Sequence, residues 1–138
     1  IGALLHDAAE DQGGRARLAD IESRFGTAVA AIVDACTDTY EKEKPAWRPR
    51  KEQYIAKLAT KAPDALLVSA ADKLDNARAI VMDLRMSSDR AGLWRRFTGN
   101  KEGTLWYYGA LVEAFRARSL GPIVGELAVA VTQMRELA

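Results

Sequence analysis

Apolar residues recur at helical spacing along nearly the whole chain, and polar, glycine- or proline-bearing breaks divide them into segments. The first segment, residues 1–10, opens on Ile1-Gly2-Ala3-Leu4-Leu5. It turns polar at Asp11-Gln12-Gly13-Gly14, where the paired glycines predict a helix end and a turn. Residues 15–25 carry Leu18, Ile21 and Phe25 at helical spacing and predict a short helix. Gly26-Thr27 punctuates, with Thr27 the expected N-cap of another short apolar helix over residues 28–35. Residues 37–49 are polar and contain Pro45 and Pro49, which predicts a loop. Residues 50–62 predict a helix with Tyr54, Leu58 and Ala62 on one side. Pro63-Asp64 then opens the longest run, residues 65–85. Its stripe of Leu67, Ala70, Leu74, Ala77, Val81 and Leu84 predicts the centre of the core.

Downstream, residues 86–90 are a polar break and residues 92–97 predict a short helix. Thr98-Gly99-Asn100-Lys101 predicts a loop, and residues 104–118 are amphipathic through Leu105, Tyr108, Leu111, Val112 and Phe115. Gly121-Pro122 punctuates again, proline being tolerated in a first helical turn, and residues 123–137 close the pattern. Alternating β-branched runs that would mark strands are absent. The expectation is an all-α fold, a compact helical bundle in which residues 1–138 form one domain.

Composition narrows the function classes. Twenty basic and 19 acidic residues give a net charge of +1, which supplies no field to draw in a nucleic-acid backbone. A local basic pocket for a small phosphorylated ligand remains compatible with that balance. The single cysteine, Cys36, ends an apolar run and reads as a small core residue. With no partner for an intramolecular disulfide, the chain suits a reducing, cytoplasmic compartment. No apolar run is long enough to span a membrane, and no secretory signal is visible. The opening Ile1-Gly2-Ala3-Leu4-Leu5 reads as the middle of an apolar helix, so the native chain is expected to extend upstream. A homo-oligomer is compatible with the sequence and not specified by it.

Two segments carry chemistry. In His6-Asp7-Ala8-Ala9-Glu10-Asp11, His6 is the only histidine of the chain, and it directly follows a core segment. On a continuous helix His6 and Glu10 are i,i+4 neighbours, as are Asp7 and Asp11. Gathering these groups beside a core is costly unless a cation compensates, and imidazole with carboxylate suits Mn²⁺, Fe²⁺ or Zn²⁺. Taken alone, the segment reads more simply as a helix cap followed by a solvated acidic pair. The second segment, Ala71-Asp72-Lys73-Leu74-Asp75-Asn76, puts Asp72 and Asn76 on one face of the most apolar helix. A ligand or metal would satisfy these groups, and so would ion pairs with Lys73 or Arg78.

Together, His-Asp-x-x-Glu-Asp followed by Ala-Asp-Lys-Leu-x-Asn resembles the HD domain of the alarmone (guanosine polyphosphate) hydrolases, in the bifunctional synthetase–hydrolases and the small stand-alone enzymes. The intervening Phe25-Gly26-x-x-Val29-Ala30-x-Ile32-Val33 is also similar, and the resemblance covers roughly residues 1–80. It implies that His6, Asp7 and Asp72 bind a divalent metal, most often Mn²⁺, and that Glu10 and Asp11 position or deprotonate the attacking water. It implies that Asn76 contacts the nucleotide and that Lys73 is a basic position of the same motif. The implied reaction removes the 3′-diphosphate from guanosine 3′,5′-bis(diphosphate), the alarmone of the stringent response.

Arg50, Lys51, Lys73 and Lys101 are the candidate phosphate contacts. The basic run 95–104, opening a helix, suits an anion, and reads otherwise as a solvated turn. Trp106, Tyr107 and Tyr108 could stack on a base, although core packing is expected for at least two of them.

The chain departs from the family pattern in three places. The family's first histidine ligand lies upstream of its His-Asp pair, and this sequence has no second histidine. Gln12 stands where threonine is common, and Arg48-Pro49-Arg50-Lys51 only loosely matches the family's basic cluster. Two other functions stay open: a different HD nucleotide phosphohydrolase, such as a nucleoside 5′-monophosphatase, or a catalytically inactive HD domain that senses a nucleotide.

Overall fold

The computed structural model describes residues 1–37 and 46–138, the Asp11 side chain excepted. Among the described residues there are nine α-helices and no strand, as the sequence pattern predicts. They form two compact units, Ile1–Ala46 with Thr60–Ser69 and Trp47–Ala59 with Ala70–Ala138.

The first unit contains α1 (Gly2–Leu5), α2 (Ala8–Asp11), α3 (Gly14–Phe25) and α4 (Thr27–Cys36), together with the opening turns of α6 (Pro63–Met86). Ala9, Ile21, Ala30 and Val33 form its buried cluster, with Leu5, Ala8, Leu18 and Val29 packed around them. Full burial of a side chain such as Ile21 or Val33 contributes about 1.5–3 kcal/mol. Gly2 lets α1 lie directly on α4, because a Cβ there would stand 2.9 Å from Ile32 Cγ2. Gly13 and Gly14 take positive φ of 113° and 57°, which turns the chain from α2 into α3. Cys36 is a buried core residue, as expected, with Sγ 3.7 Å from Ser69 Oγ. Ser69 also accepts a hydrogen bond from the buried Lys61 ammonium at 2.9 Å.

The second unit contains α5 (Trp47–Leu58), the remainder of α6, α7 (Arg90–Arg95), α8 (Asn100–Ala117) and α9 (Pro122–Leu137). Helix α8 packs against α5, α7 and α9. It buries Tyr107, Tyr108, Leu111, Val112 and Phe115. Arg118 donates to the Leu58 and Ala59 carbonyls at 2.6 and 2.8 Å and so satisfies the open end of α5.

Several boundaries differ from the sequence expectation, for local reasons. Helix α5 begins at Trp47, so Pro49 lies inside it and not in the preceding loop. A first-turn amide has no helical partner, and proline loses nothing there. Of the expected loop, residues 38–45 lie outside the described part. Helix α5 ends at Leu58, short of Ala62. Helix α7 starts earlier than expected because Asp89 caps it, Oδ1 accepting from the Gly92 amide at 2.7 Å. Helix α8 begins at Asn100, inside the expected loop. Thr27 is the first residue of α4 and not its cap, a position taken by Gly26 at φ 86°. On α6 the buried stripe runs through Leu66, not Leu67, which is 50% exposed. Phe25 is likewise exposed at the end of α3.

Trp47 lies on the backbone of α8's first turn. A Cβ on Gly99 would stand 2.6 Å from the Trp47 ring and one on Gly103 would stand 3.1 Å from it. Gly99→Ala should therefore lower the melting temperature by roughly 5 °C or more, through overpacking and because glycine is preferred to alanine at this helix N-cap. A thermal melt that rises instead would show that the tryptophan is not seated on this turn.

Candidate functional site

His6 and Asp7 stand at the break between α1 and α2. The sequence suggested one continuous helix here. In the structure His6 Nδ1 bonds the Ala3 carbonyl at 2.8 Å, and that carbonyl is the acceptor an unbroken helix would offer to the Asp7 amide. Asp7 then relaxes to ψ −8°, and the next helix starts after it. The i,i+4 spacing of His6 with Glu10 thus spans a turn, not a regular helix.

This break fixes the chemistry of the imidazole. A carbonyl oxygen only accepts, so the Nδ1 of His6 carries the proton and donates it to Ala3. In the neutral ring Nε2 then presents its lone pair. It lies 3.1 Å from Asp7 Oδ2, itself an electron-rich atom. Two such atoms at that separation are favourable only with a positive charge beside them, a proton on the ring or a cation held by both. A backbone carbonyl that orients a histidine so that its other nitrogen faces outward is the usual support for a metal-binding imidazole. The donor set therefore fits a divalent ion. Glu10 is half-buried on α2, next in line after this pair, and the Asp11 side chain lies outside the described residues.

The second motif sits on α6. Asp72 is half-buried and both of its carboxylate oxygens are engaged. Asn76 Nδ2 donates to Oδ1 at 2.8 Å, and the Lys73 ammonium donates to Oδ2. The Asp72 and Lys73 side chains are only 15% and 18% exposed. Lys73 lies 5.2 Å from the Tyr54 ring centroid. Burial by itself would lower the lysine's pKa, but Tyr54, Tyr107 and Asp72 together outweigh it, and the pKa lies well above the ordinary range. Lys73 is therefore a fixed positive charge at all physiological pH. Tyr108 is pushed up to about 12, mainly by burial, and is neutral. Asp75 and Arg78 are exposed. Arg78 pairs instead with Glu126 at 2.7 Å, so it does not serve as the counter-charge that the sequence allowed it to be.

Beside these groups the second unit holds a cavity of about 300 Å³, walled by Trp47, Tyr107 and Tyr108 and carrying Arg50, Lys51 and Arg96. Its volume is at the lower end for small-molecule sites. Lys51 Nζ lies 5.0 Å from the Tyr107 ring centroid, and the Arg48 guanidinium stacks 3.2 Å over Trp106. Three cations in a cavity with aromatic walls suit a ligand that is flat at one end and anionic at the other. Arg50 and Lys51 thus fall in one place, as the sequence suggested, whereas Lys101 is exposed on the first turn of α8 and does not line the cavity. Two of the three adjacent aromatics, Tyr107 and Tyr108, are buried, and Trp106 is half-buried. Trp47 was not singled out from the sequence. Its position at the head of the basic run Trp-Arg-Pro-Arg-Lys is the one signal that could have marked it.

Residues 1–105 match the family described as HD domain, a stretch that includes both motifs and the residues of the basic cavity up to Thr104. Among curated proteins, the chain is 40% identical over 78 residues to the guanosine-3′,5′-bis(diphosphate) 3′-pyrophosphohydrolase MESH1 of Drosophila melanogaster, covering 56% of this chain and 41% of that one. It is 40% identical over 76 residues to MESH1 of Mus musculus, covering 55% of this chain and 40% of that one. The chain thus spans about two fifths of the length of these relatives. With a family match over three quarters of its length and both sequence motifs within it, the chain belongs to the HD-domain family.

Proposed function

We propose that this chain is the catalytic HD domain of a cytoplasmic, Mn²⁺-dependent phosphohydrolase that removes the 3′-diphosphate from guanosine 3′,5′-bis(diphosphate). The carrying observation is the His6–Asp7 pair. A carbonyl-oriented imidazole turns its second nitrogen onto a carboxylate 3.1 Å away, in a chain of the HD-domain family. The printed activity of the MESH1 relatives supports the choice of substrate.

In this reading His6 Nε2, Asp7 and Asp72 hold the metal. The bound ion supplies Lewis acidity toward the phosphoryl group and lowers the pKa of water. Glu10 and Asp11 accept or direct the proton of the attacking water. Arg50 and Lys51 bind phosphate charge from the aromatic cavity, with Asn76 and, from outside the cavity lining, Lys101 as further nucleotide contacts. A plain helix cap is not the role of Asp7, since its side chain makes no capping bond.

The deciding experiment incubates the full natural polypeptide with Mn²⁺ and either guanosine 3′,5′-bis(diphosphate) or a panel of deoxynucleoside monophosphates. Diphosphate should be released from the first. Faster phosphate release from the second would assign a different HD phosphohydrolase, and binding without release would assign a sensor. The cavity gives a second expected result. Arg50→Ala with Lys51→Ala should raise KM about tenfold or more and leave kcat within a few-fold, since charged hydrogen bonds to a bound anion are lost equally in ground and transition states. An unchanged KM in steady-state assays would remove these residues from the substrate site.

A further inference from the structure

The sequence places Lys73 among the phosphate contacts, but the structure gives its ammonium a different partner. The side chain is held by Asp72 on one side and the Tyr54 ring on the other, and it is 18% exposed. We propose that Lys73 is a positioning residue, the built-in counter-cation of Asp72, which holds this carboxylate in place while the metal is absent and competes with the metal for it. The proposal rests on the reading of Asp72 as a metal ligand.

Three observations carry it. First, Asp72 has its two oxygens divided between Asn76 and Lys73, so its plane is set before any metal arrives. A carboxylate offers about four acceptor directions, so two hydrogen bonds do not by themselves exhaust it. Second, a half-buried carboxylate without a cation beside it would be costly, and Lys73 is a cation that the structure places there. Third, Lys73 cannot withdraw easily. It lies against the Tyr54 ring and donates to Asp72, so its charge stays next to Asp72 when a second cation binds. Two cations sharing one carboxylate repel, and the repulsion is a fixed cost on metal affinity.

The sign of this cost distinguishes Lys73 from the alternatives. As a competing counter-cation, its neutral replacement Lys73→Met should tighten Mn²⁺ binding by about tenfold, measured by titration with electron paramagnetic resonance, and should lower the melting temperature of the metal-free protein. Lys73→Arg keeps the charge and should leave Mn²⁺ affinity near that of the wild type. A double-mutant cycle of Lys73→Met with Asp72→Asn, on metal-free melting, should show coupling between the two.

Weaker Mn²⁺ binding in Lys73→Met would overturn the competition and leave a purely supporting role. Unchanged Mn²⁺ affinity with a raised KM for nucleotide would return Lys73 to the substrate contacts and overturn the proposal. If Lys73→Met fails to fold, Lys73→Gln and the Arg variant carry the same comparison. A wild-type protein that binds no divalent ion would sink the metal reading itself, and the competition with it. By contrast, normal binding with no tightening in the variant would sink the Lys73 proposal alone.

Discussion

Asp72→Asn should lower Mn²⁺ affinity and turnover together, each by about a hundredfold or more. The substitution is nearly isosteric and can keep the Asn76 contact, so shape is not the issue. It removes one negative charge from the proposed ligand set, and metal affinity depends on ligand charge as well as geometry. The same change leaves the Lys73 ammonium, 18% exposed, without its anion. Stability should therefore fall by about 1–3 kcal/mol, as when one partner of a shielded polar pair is removed. The measurements are Mn²⁺ titration, diphosphate release and a thermal melt on the same preparation. Turnover lost with metal affinity intact would move Asp72 out of the ligand set and toward the substrate.

The helical architecture was legible because its signal is redundant. Ala70, Leu74, Ala77, Val81 and Leu84 repeat over many turns of α6, and a phase error at one end, Leu67 for Leu66, leaves the rest of the stripe correct. Short helices have no such redundancy. Helix α7 was displaced because its start depends on one hydrogen bond from Asp89 to the Gly92 amide, which hydrophobic spacing does not encode. The break between α1 and α2 was missed for a related reason. An imidazole competes there for a backbone carbonyl, and a histidine is equally at home in a continuous helix.

The candidate site was legible as two motifs and illegible as a hydrogen-bond network. The spacing of Asp72 and Asn76 gave their contact directly, because i,i+4 side chains meet on any helix. Lys73 is adjacent to Asp72 in sequence, and neighbouring helical residues normally diverge. Their contact depends on the lysine folding back between Asp72 and Tyr54, which only tertiary packing decides. The aromatic cavity depends on Gly99 and Gly103 being flat enough to receive Trp47, a fit between distant segments that neither segment announces.

Glu10→Gln combined with Asp11→Asn should leave Mn²⁺ and nucleotide binding nearly intact while turnover falls by about two orders of magnitude or more, the usual scale for losing general acid–base help. The reasoning separates two roles that acidic residues play near a metal. His6 and Asp7 are tied together at the helix break, where Nε2 and Oδ2 face one another, and they need a cation between or beside them. Glu10 follows on α2, beyond the break, and is assigned to the water and not to the ion. Neutral amides at both positions keep size and hydrogen-bonding capacity but remove the proton acceptor, so binding and chemistry should part company. Single-turnover diphosphate release beside Mn²⁺ and nucleotide titrations would show that separation. If the double variant turns over at the wild-type rate, Glu10 and Asp11 are a solvated helix end, and the proton acceptor must be sought elsewhere in the site. If Mn²⁺ affinity collapses with turnover, the pair belongs to the ligand set, and the shared loss would match that expected of Asp72→Asn.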